Sequence, residues 1–597
     1  LAAVQAHAPH LSHLVRVIVA YWNWIAASQG LERHDDRAIL WSIHAVIPLA
    51  RTGYHDLATI GVGTLARILD RQLAEGTNVD QHELGPAIWA MAETVFAQLR
   101  ESGWWSAREC LSMLLAHWSR QETREGDERA VITMTLLKGP GVAGALARPG
   151  PAPHDREIAT AIAQLGADRW AEPTTALQDV ILTSYLHSDE REPGATAEQR
   201  RANLRRRAQN ADVARLMAGA SAAPILHGLD EIRAALPDDA VLLTVCHSAA
   251  MHAAKDSLHM VLVPRQGSPC VASVDTLHGA KNYVHTIQDP DTVEVRVVHS
   301  RTARLMTYVR RSLLEDPLHR DVSRDGALAL RLVARQLQLN EGLGKPLTRA
   351  TGGCHTRLIF WPHESLYFVP LQLLPFRDGI LADHFTVTVV PSVECLFPRS
   401  DTIILRSGVT AIACATGGLP AGLPEEPSLH QQAERIADLF NTRPLTGDDA
   451  TPAAALKALG TTRYLHLAAH GAQDVDAPLF ARVYLAGGAL HAHEILQRDL
   501  RETELVTLSA CESALLRYDF LDNLHGLAPA FLRAGARAVI GALWPISPEA
   551  AETFFTQLYA HLANGGTRVD AFRFAQNQAR ARHPNYRDWG AFTYFGS

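Results

Sequence analysis

The sequence predicts an α-helical N-terminal region followed by an α/β C-terminal region built on a central, mostly parallel sheet flanked by helices. Three observations predict it. Over residues 1–215, apolar residues recur at three- and four-residue spacing, the signature of helices with one buried face. Beyond about residue 240, short apolar runs bounded by turn residues alternate with helical stretches, as buried parallel strands and their crossovers do. Two of these runs, residues 464–470 and 505–511, each break at the carboxyl end on one reactive side chain, His470 and Cys511.

The helical periodicity covers residues 11–27, 55–73, 86–100 and 107–120, with Ile88, Met91, Val95 and Leu99 as one apolar stripe. Gly53, Gly76 and Gly103 punctuate it, so the region reads as helix pairs with a repeat-like character, although no 34-residue tetratricopeptide period aligns. A stretch rich in Pro and Gly at 139–153 predicts a loop or hinge, followed by helices at 155–165, 175–186 and 199–217. The last carries Arg200, Arg201, Arg205, Arg206 and Arg207, read as a solvated helix face. Strands are expected at 241–245, 259–263 and 409–415. A short helix at 489–497 is expected to cross from the 464–470 strand to the 505–511 strand. A second crossover helix at 526–535 ends at a Gly cap, and a strand at 538–544 stops before Pro545.

Chemistry in α/β sheets collects at the carboxyl ends of the strands. His470 and Cys511 at neighbouring strand ends are the pair a cysteine nucleophile and its general base require. A free thiol, with a pKa near 8.5, is mostly unreactive at neutral pH, and an adjacent imidazole can take its proton. Gly471 follows the His, and its backbone N–H, with that of Cys511, can serve a developing oxyanion; one such donor is worth roughly 10²–10³ in rate. These residue types fit acyl transfer to a thiol, and with water as acceptor that is proteolysis.

The motifs flanking this pair carry a family resemblance. Residues 357–375 (RLIFWPHESLYFVPLQLLP), Phe385 to Ser392 (FTVTVVPS), Gly447 to Thr451 (GDDAT), residues 524–545 (LHGLAPAFLRAGARAVIGALWP) and the closing Trp589–Phe592 resemble, in order, the CHAT domain, a caspase-like cysteine peptidase module often attached to helical repeats. The resemblance covers about 345–597, with a weaker trace back to about 215. It implies His470 as general base and Cys511 as nucleophile. It also implies three parts: a helical sensor or partner-binding region at 1–215, a non-catalytic caspase-like half at 216–400, and a catalytic half at 401–597. This chain departs from the family pattern at Ser513, where Thr is common, and at Ala469. The loop 417–424 (GGLPAGLP) lies where loops rearrange in caspase relatives.

The expected activity is therefore a regulated cysteine endopeptidase, triggered by a protein partner or ligand at the helical region and, from family context, acting in bacterial defence or programmed death. A catalytically silent caspase-like scaffold for protein interaction is the alternative. Ser509, two residues before Cys511, shares its strand face and does not select charge; Glu512 is the other pocket candidate, and Asp474, Asp476, Asp519 and Asp522 are expected to be solvated. No P1 preference follows.

Other chemistries find less support. His466 and His470 share a strand face about 13 Å apart, too far for one ion. His247, His252 and His259, and separately His491 and His493, lack Cys-x-x-Cys or His-Glu-x-x-His company, so no metal or other cofactor is expected. Cys246 and Cys354 each precede a His, but neighbouring strand residues point to opposite faces. There is no phosphate loop and no Gly-x-Gly-x-x-Gly. A net charge of −7 argues against nucleic acid as a partner. Seven scattered cysteines fit reduced thiols in a cytoplasmic protein. Residues 11–27, interrupted by His13, Arg16 and Asn23, are too short an apolar run to span a membrane, and no membrane partner is expected. The chain begins at Leu, which points to a missing N-terminus.

Overall fold

The computed structural model describes residues 124–138, 228–248, 257–275, 283–288, 294–299, 324–350, 356–397, 408–473, 480–510, 513–514, 516–518 and 524–597, with scattered helical positions before residue 120. The helices expected at 55–73, 86–100, 155–165, 175–186 and 199–217, and most of 11–27 and 107–120, lie outside the described residues. Helix α1, Arg124–Leu137, represents the N-terminal region. Its Ala130, Val131, Met134 and Leu137 are buried, and the helix lies against the strands at 240–248, 257–264 and 270–275.

The core is one sheet of eleven strands. In chain order they are β1 (Ala240–Ser248), β2 (Ser257–Pro264), β3 (Cys270–Asp275), β4 (Thr356–Trp361), β5 (Phe385–Val389), β6 (Val409–Cys414), β7 (Leu445–Thr446), β8 (Tyr464–Ala469), β9 (Leu505–Ser509), β10 (Ala538–Ala542) and β11 (Phe592–Gly596). In space they run β7-β6-β8-β9-β10-β11-β5-β4-β1-β2-β3. Nearly every residue of β2, β5, β8, β9, β10 and β11 is buried, which is why these runs are apolar throughout rather than alternating.

The sheet is mixed. β1-β2-β3 is antiparallel, as is the join of β10 to β11, where five residues pair from Ala538–Gly596 to Ala542–Phe592. The remaining seven joins are parallel. Because β10 and β11 are antiparallel, the carboxyl ends of β6, β8, β9 and β10 lie along one edge of the sheet, and those of β1, β4, β5 and β11 along the other.

Helices α4 (Ser428–Leu439), α7 (Pro548–Ala563) and α8 (Arg568–Arg582) form a packed layer over the β6–β8–β9 part of the sheet. Their starts are set locally. Ser547 accepts from the Ala550 N–H with Pro548 at the first position, and Thr567 accepts from the Asp570 N–H. The crossover helix α6 (Leu527–Ala534) ends, as expected, at Gly535 in a left-handed conformation (φ +119°). Other described helices include α2 (Leu229–Ala235), α3 (Arg324–Gln336) and α5 (Pro452–Ala458), with further short ones at Gly344–Ala350 and Leu381–His384.

One element differs from the sequence expectation. Residues 489–497 do not form a helix. A hairpin of Arg482–Leu485 and Gly488–His491 takes the first part, and a single helical turn, Ala492–Ile495, the rest. The two-residue turn Ala486-Gly487 places Gly487 at φ +74°, a conformation glycine adopts readily, and so favours a hairpin over a helix.

Candidate active site

The order in which β6, β7 and β8 enter the sheet reverses between β6 and β8. Chain and sheet advance outward from β6 to β7, then return to place β8 on the other flank of β6. Such a switch point opens a crevice outside the carboxyl ends of the strands. His470 lies there. It is the residue at which the chain leaves the main sheet, after β8 ends at Ala469, and enters a small antiparallel sheet through Gly471 and Ala472.

Two contacts hold His470. Its main-chain carbonyl accepts the Tyr484 N–H at 2.9 Å, and its Nε2 sits 2.8 Å from the Pro424 carbonyl. A carbonyl only accepts, so Nε2 carries the proton and Nδ1 keeps a lone pair in the neutral ring. The loop from Ala415 to Pro427 makes this possible by pressing close. A Cβ on Gly417 would lie 2.6 Å from the Tyr484 carbonyl oxygen, and one on Gly418 would lie 3.0 Å from His470 Cδ2. The Gly pair in this loop is thus a fit to the site. Leu419, just beyond, is exposed.

The Gly471 N–H follows from ladder geometry. The Tyr484–His470 hydrogen bond makes the next pair, Gly471–Val483, the non-bonded kind, so the Gly471 N–H turns away from its partner strand.

β9 is the neighbour of β8, in parallel register with Ala468 opposite Ser509. Ser509 is buried at the end of β9. Cys511 and Glu512 lie outside the described residues, as do Asp474, Asp476, Asp519 and Asp522. The residues on either side are firmly placed. Ser513 Oγ donates to the Leu508 carbonyl at 3.2 Å and accepts the Ala542 N–H at 3.1 Å. Ala514 N–H donates to the Ala542 carbonyl at 2.9 Å. This clamp draws the chain against β10, where a Cβ on Gly541 would lie 2.9 Å from Ser513 Oγ and 3.0 Å from the Ala514 nitrogen. Sequence reasoning missed Pro424, Gly541 and the role of Ser513. An isolated Gly within an apolar strand, signalling close backbone approach, was the only available cue for Gly541.

His466 takes no part in this crevice. It is fully buried, with Nδ1 2.7 Å from Thr507 Oγ1 and Nε2 3.0 Å from Gln432 Oε1. Tyr559 Oη continues the chain at 2.7 Å from Thr507 Oγ1. Burial holds this imidazole down to about 3, so it stays neutral. His491 and His493 stack on each other, 5.4 Å apart, and burial lowers His493 to about 4. His259 is buried, with Nδ1 2.8 Å from Ser273 Oγ; His252 and Cys354 lie outside the described residues. Among the described residues no three His, Cys, Asp or Glu are grouped to hold a metal ion, and no helix is long and apolar enough to cross a membrane.

Comparison with known proteins bears on the same region. The family model of the CHAT domain matches residues 333–597. Tetratricopeptide repeat protein 28 of Mus musculus is 28% identical over 301 residues, covering 41% of this chain and 12% of its own length, so this chain spans about an eighth of that relative. Among solved structures, the Saccharomyces cerevisiae separase–securin complex aligns with a TM-score of 0.37 at 11% identity, covering 94% of this chain and 53% of the other. The complex of Porphyromonas gingivalis RgpB pro- and mature domains aligns with a TM-score of 0.32 at 15% identity, covering 50% and 75%. The family match takes in every motif from β4 to β11, so over residues 333–597 the chain is similar to the CHAT domain.

Proposed function

We propose that the chain is a cysteine endopeptidase in which His470 is the general base and Cys511 the nucleophile. The observation that carries this reading is the state of His470. It stands at the switch-point crevice with Nε2–H committed to the Pro424 carbonyl and Nδ1 left as the basic atom. Ala468 pairs with Ser509 in parallel register, and in sequence His470 and Cys511 each follow that pair by two residues, which supports assigning both to the same end of the sheet.

In this reading Nδ1 takes the thiol proton and the thiolate attacks the scissile carbonyl carbon. The carbonyl oxygen becomes an oxyanion facing the N–H groups of Gly471 and Cys511. Collapse of the intermediate expels the amine, which receives the proton from His470, and leaves a thioester on Cys511. Water, deprotonated by His470, then releases the acid and restores the thiol. Ser509 and Glu512 are the pocket candidates. The substrate is a protein, and a partner or ligand acting on the helical region regulates access.

The test compares cleavage profiles of a cell extract treated with the full chain, Cys511→Ala and His470→Ala. Cuts present only with the unaltered chain support the dyad and read out P1. If no sample cuts, and a peptide electrophile fails to label Cys511 even with candidate partners added, the chain is a silent interaction scaffold.

A further inference from the structure

The other edge of the sheet holds an unusual arrangement. Lys138 directly follows α1, its backbone N–H still bonded to the Met134 carbonyl, and its side chain is buried at 2% exposure. A buried lysine is rare unless its charge is met. Here Nζ donates to three main-chain carbonyls, those of Val245 at 2.8 Å, Trp361 at 2.6 Å and Pro362 at 2.5 Å. Three acceptors match the three N–H bonds of an ammonium. The same Nζ lies 4.6 Å from the centre of the Trp361 ring, within range of a cation–π contact.

The sequence explains why the carbonyls are available. Parallel pairing of β1 with β4 ends at Thr244–Trp361. Pro362 comes next, has no N–H and cannot extend the ladder. The carbonyl groups gathered at that end converge on one point beside the Trp361 ring, and a cation with several N–H donors satisfies them together. Lys138 also sits at the C-terminal end of α1, where the helix dipole favours positive charge.

We infer that the carboxyl ends of β1 and β4 form a primary-ammonium site, that Lys138 fills it in cis, and that this site is the joint holding the helical N-terminal region to the sheet. A second ammonium of the same shape, such as a lysine on a partner protein, competes for the cradle and frees α1. Because β10 and β11 are antiparallel, the joint lies on the edge of the sheet opposite His470.

The test uses the full chain and needs no peptidase activity. Hydrogen exchange is followed over 124–138, 240–248 and, as an internal control, 464–469. In Lys138→Met, which keeps the stem and loses the donors, exchange over 124–138 is expected to rise by about tenfold or more while 464–469 is unchanged. In Lys138→Ala, millimolar butylammonium is expected to restore protection, while tetramethylammonium, without N–H donors, and butanol, without charge, do not. Unchanged exchange over 124–138 in the Met variant overturns the inference. Equal rescue by tetramethylammonium overturns it too. If the Ala variant fails to fold, its recovery with butylammonium alone supports the site, and the Met variant decides the joint.

Discussion

Replacing Gly541 with Ala tests the clamp that follows the candidate nucleophile. The added Cβ would lie 2.9 Å from Ser513 Oγ, 3.0 Å from the Ala514 nitrogen and 3.1 Å from the Ser513 carbonyl carbon. Ordinary contact is about 3.5–4.0 Å, so the segment must retreat by roughly half an ångström or more. Two of the three close atoms are backbone and cannot rotate away. Retreat stretches the Ala514 N–H to Ala542 carbonyl bond (2.9 Å) and the Ala542 N–H to Ser513 Oγ bond (3.1 Å) to the limit of hydrogen bonding. Each is worth about 1 kcal/mol, and overpacking a tight core adds about 1–3 kcal/mol. The expected local loss is therefore about 3–5 kcal/mol. Native-state hydrogen exchange at the Ala542 amide reads it directly, and even 2 kcal/mol means exchange roughly thirtyfold faster. Alkylation of Cys511 is expected to change in rate in the same variant. An Ala542 amide exchanging as slowly as in the unaltered chain would refute the close approach itself. Ser513→Ala is the companion variant: it removes the hydroxyl, leaves the Ala542 N–H without its acceptor and keeps the backbone contacts, so adding it to Gly541→Ala should not restore the unaltered rate.

Three further outcomes are expected. His466 is held neutral by burial, near 3 against an ordinary 6.5, so the unfolded chain binds its proton first as pH falls. Stability should drop by about 1.4 kcal/mol per pH unit from this group between roughly 6.5 and 3, and urea melts of His466→Asn across that window should show a shallower slope. Glu394 is displaced the other way, pushed up to about 7 by burial, with Ser392 Oγ as a hydrogen-bond partner. Its contribution is present at acid pH and lost as pH rises from about 4.5 through 7, so Glu394→Gln should be more stable than the unaltered chain at pH 8 and gain nothing at pH 4. Gly417→Ala should lift the loop over His470, because its Cβ would meet the Tyr484 carbonyl oxygen at 2.6 Å and the Leu485 nitrogen at 2.9 Å. The readout is faster exchange of the Leu423 amide, which donates to the Gly418 carbonyl at 3.1 Å.

What could be read from the sequence was whatever depends on local pattern. Runs such as Leu505–Ser509 and Ala538–Ala542 are apolar at every position because both faces are covered, and Gly535 ends α6 because it tolerates a left-handed backbone. The pairing of His470 with its strand end was legible for the same reason. Residues 489–491 were misread as the start of a helix because Ala, Leu and His suit a helix locally, while Gly487 acts through the turn that precedes them. Pro424 was invisible because what matters is a main-chain carbonyl, which every residue has. Gly541 needs the partner it touches, 27 residues earlier in the chain, before its meaning shows. Nothing in the sequence around Lys138 marks it, because the three carbonyls that close around it lie over a hundred residues away.

The antiparallel join of β10 and β11 makes the sheet a two-sided device. Each half presents its functional strand ends to a different edge, so a binding event at one edge has no steric access to the other. Any message from α1 to the switch-point crevice must pass through backbone ladders and packed side chains between β1 and β8. Along that path β11 meets β5 through a single residue pair, Phe595–Val389, whereas it meets β10 through five. The thinnest seam in the sheet therefore lies at β5–β11, between the strands that carry the lysine cradle and those that carry the histidine, and a shear there would let one group of strands shift while the other keeps its register.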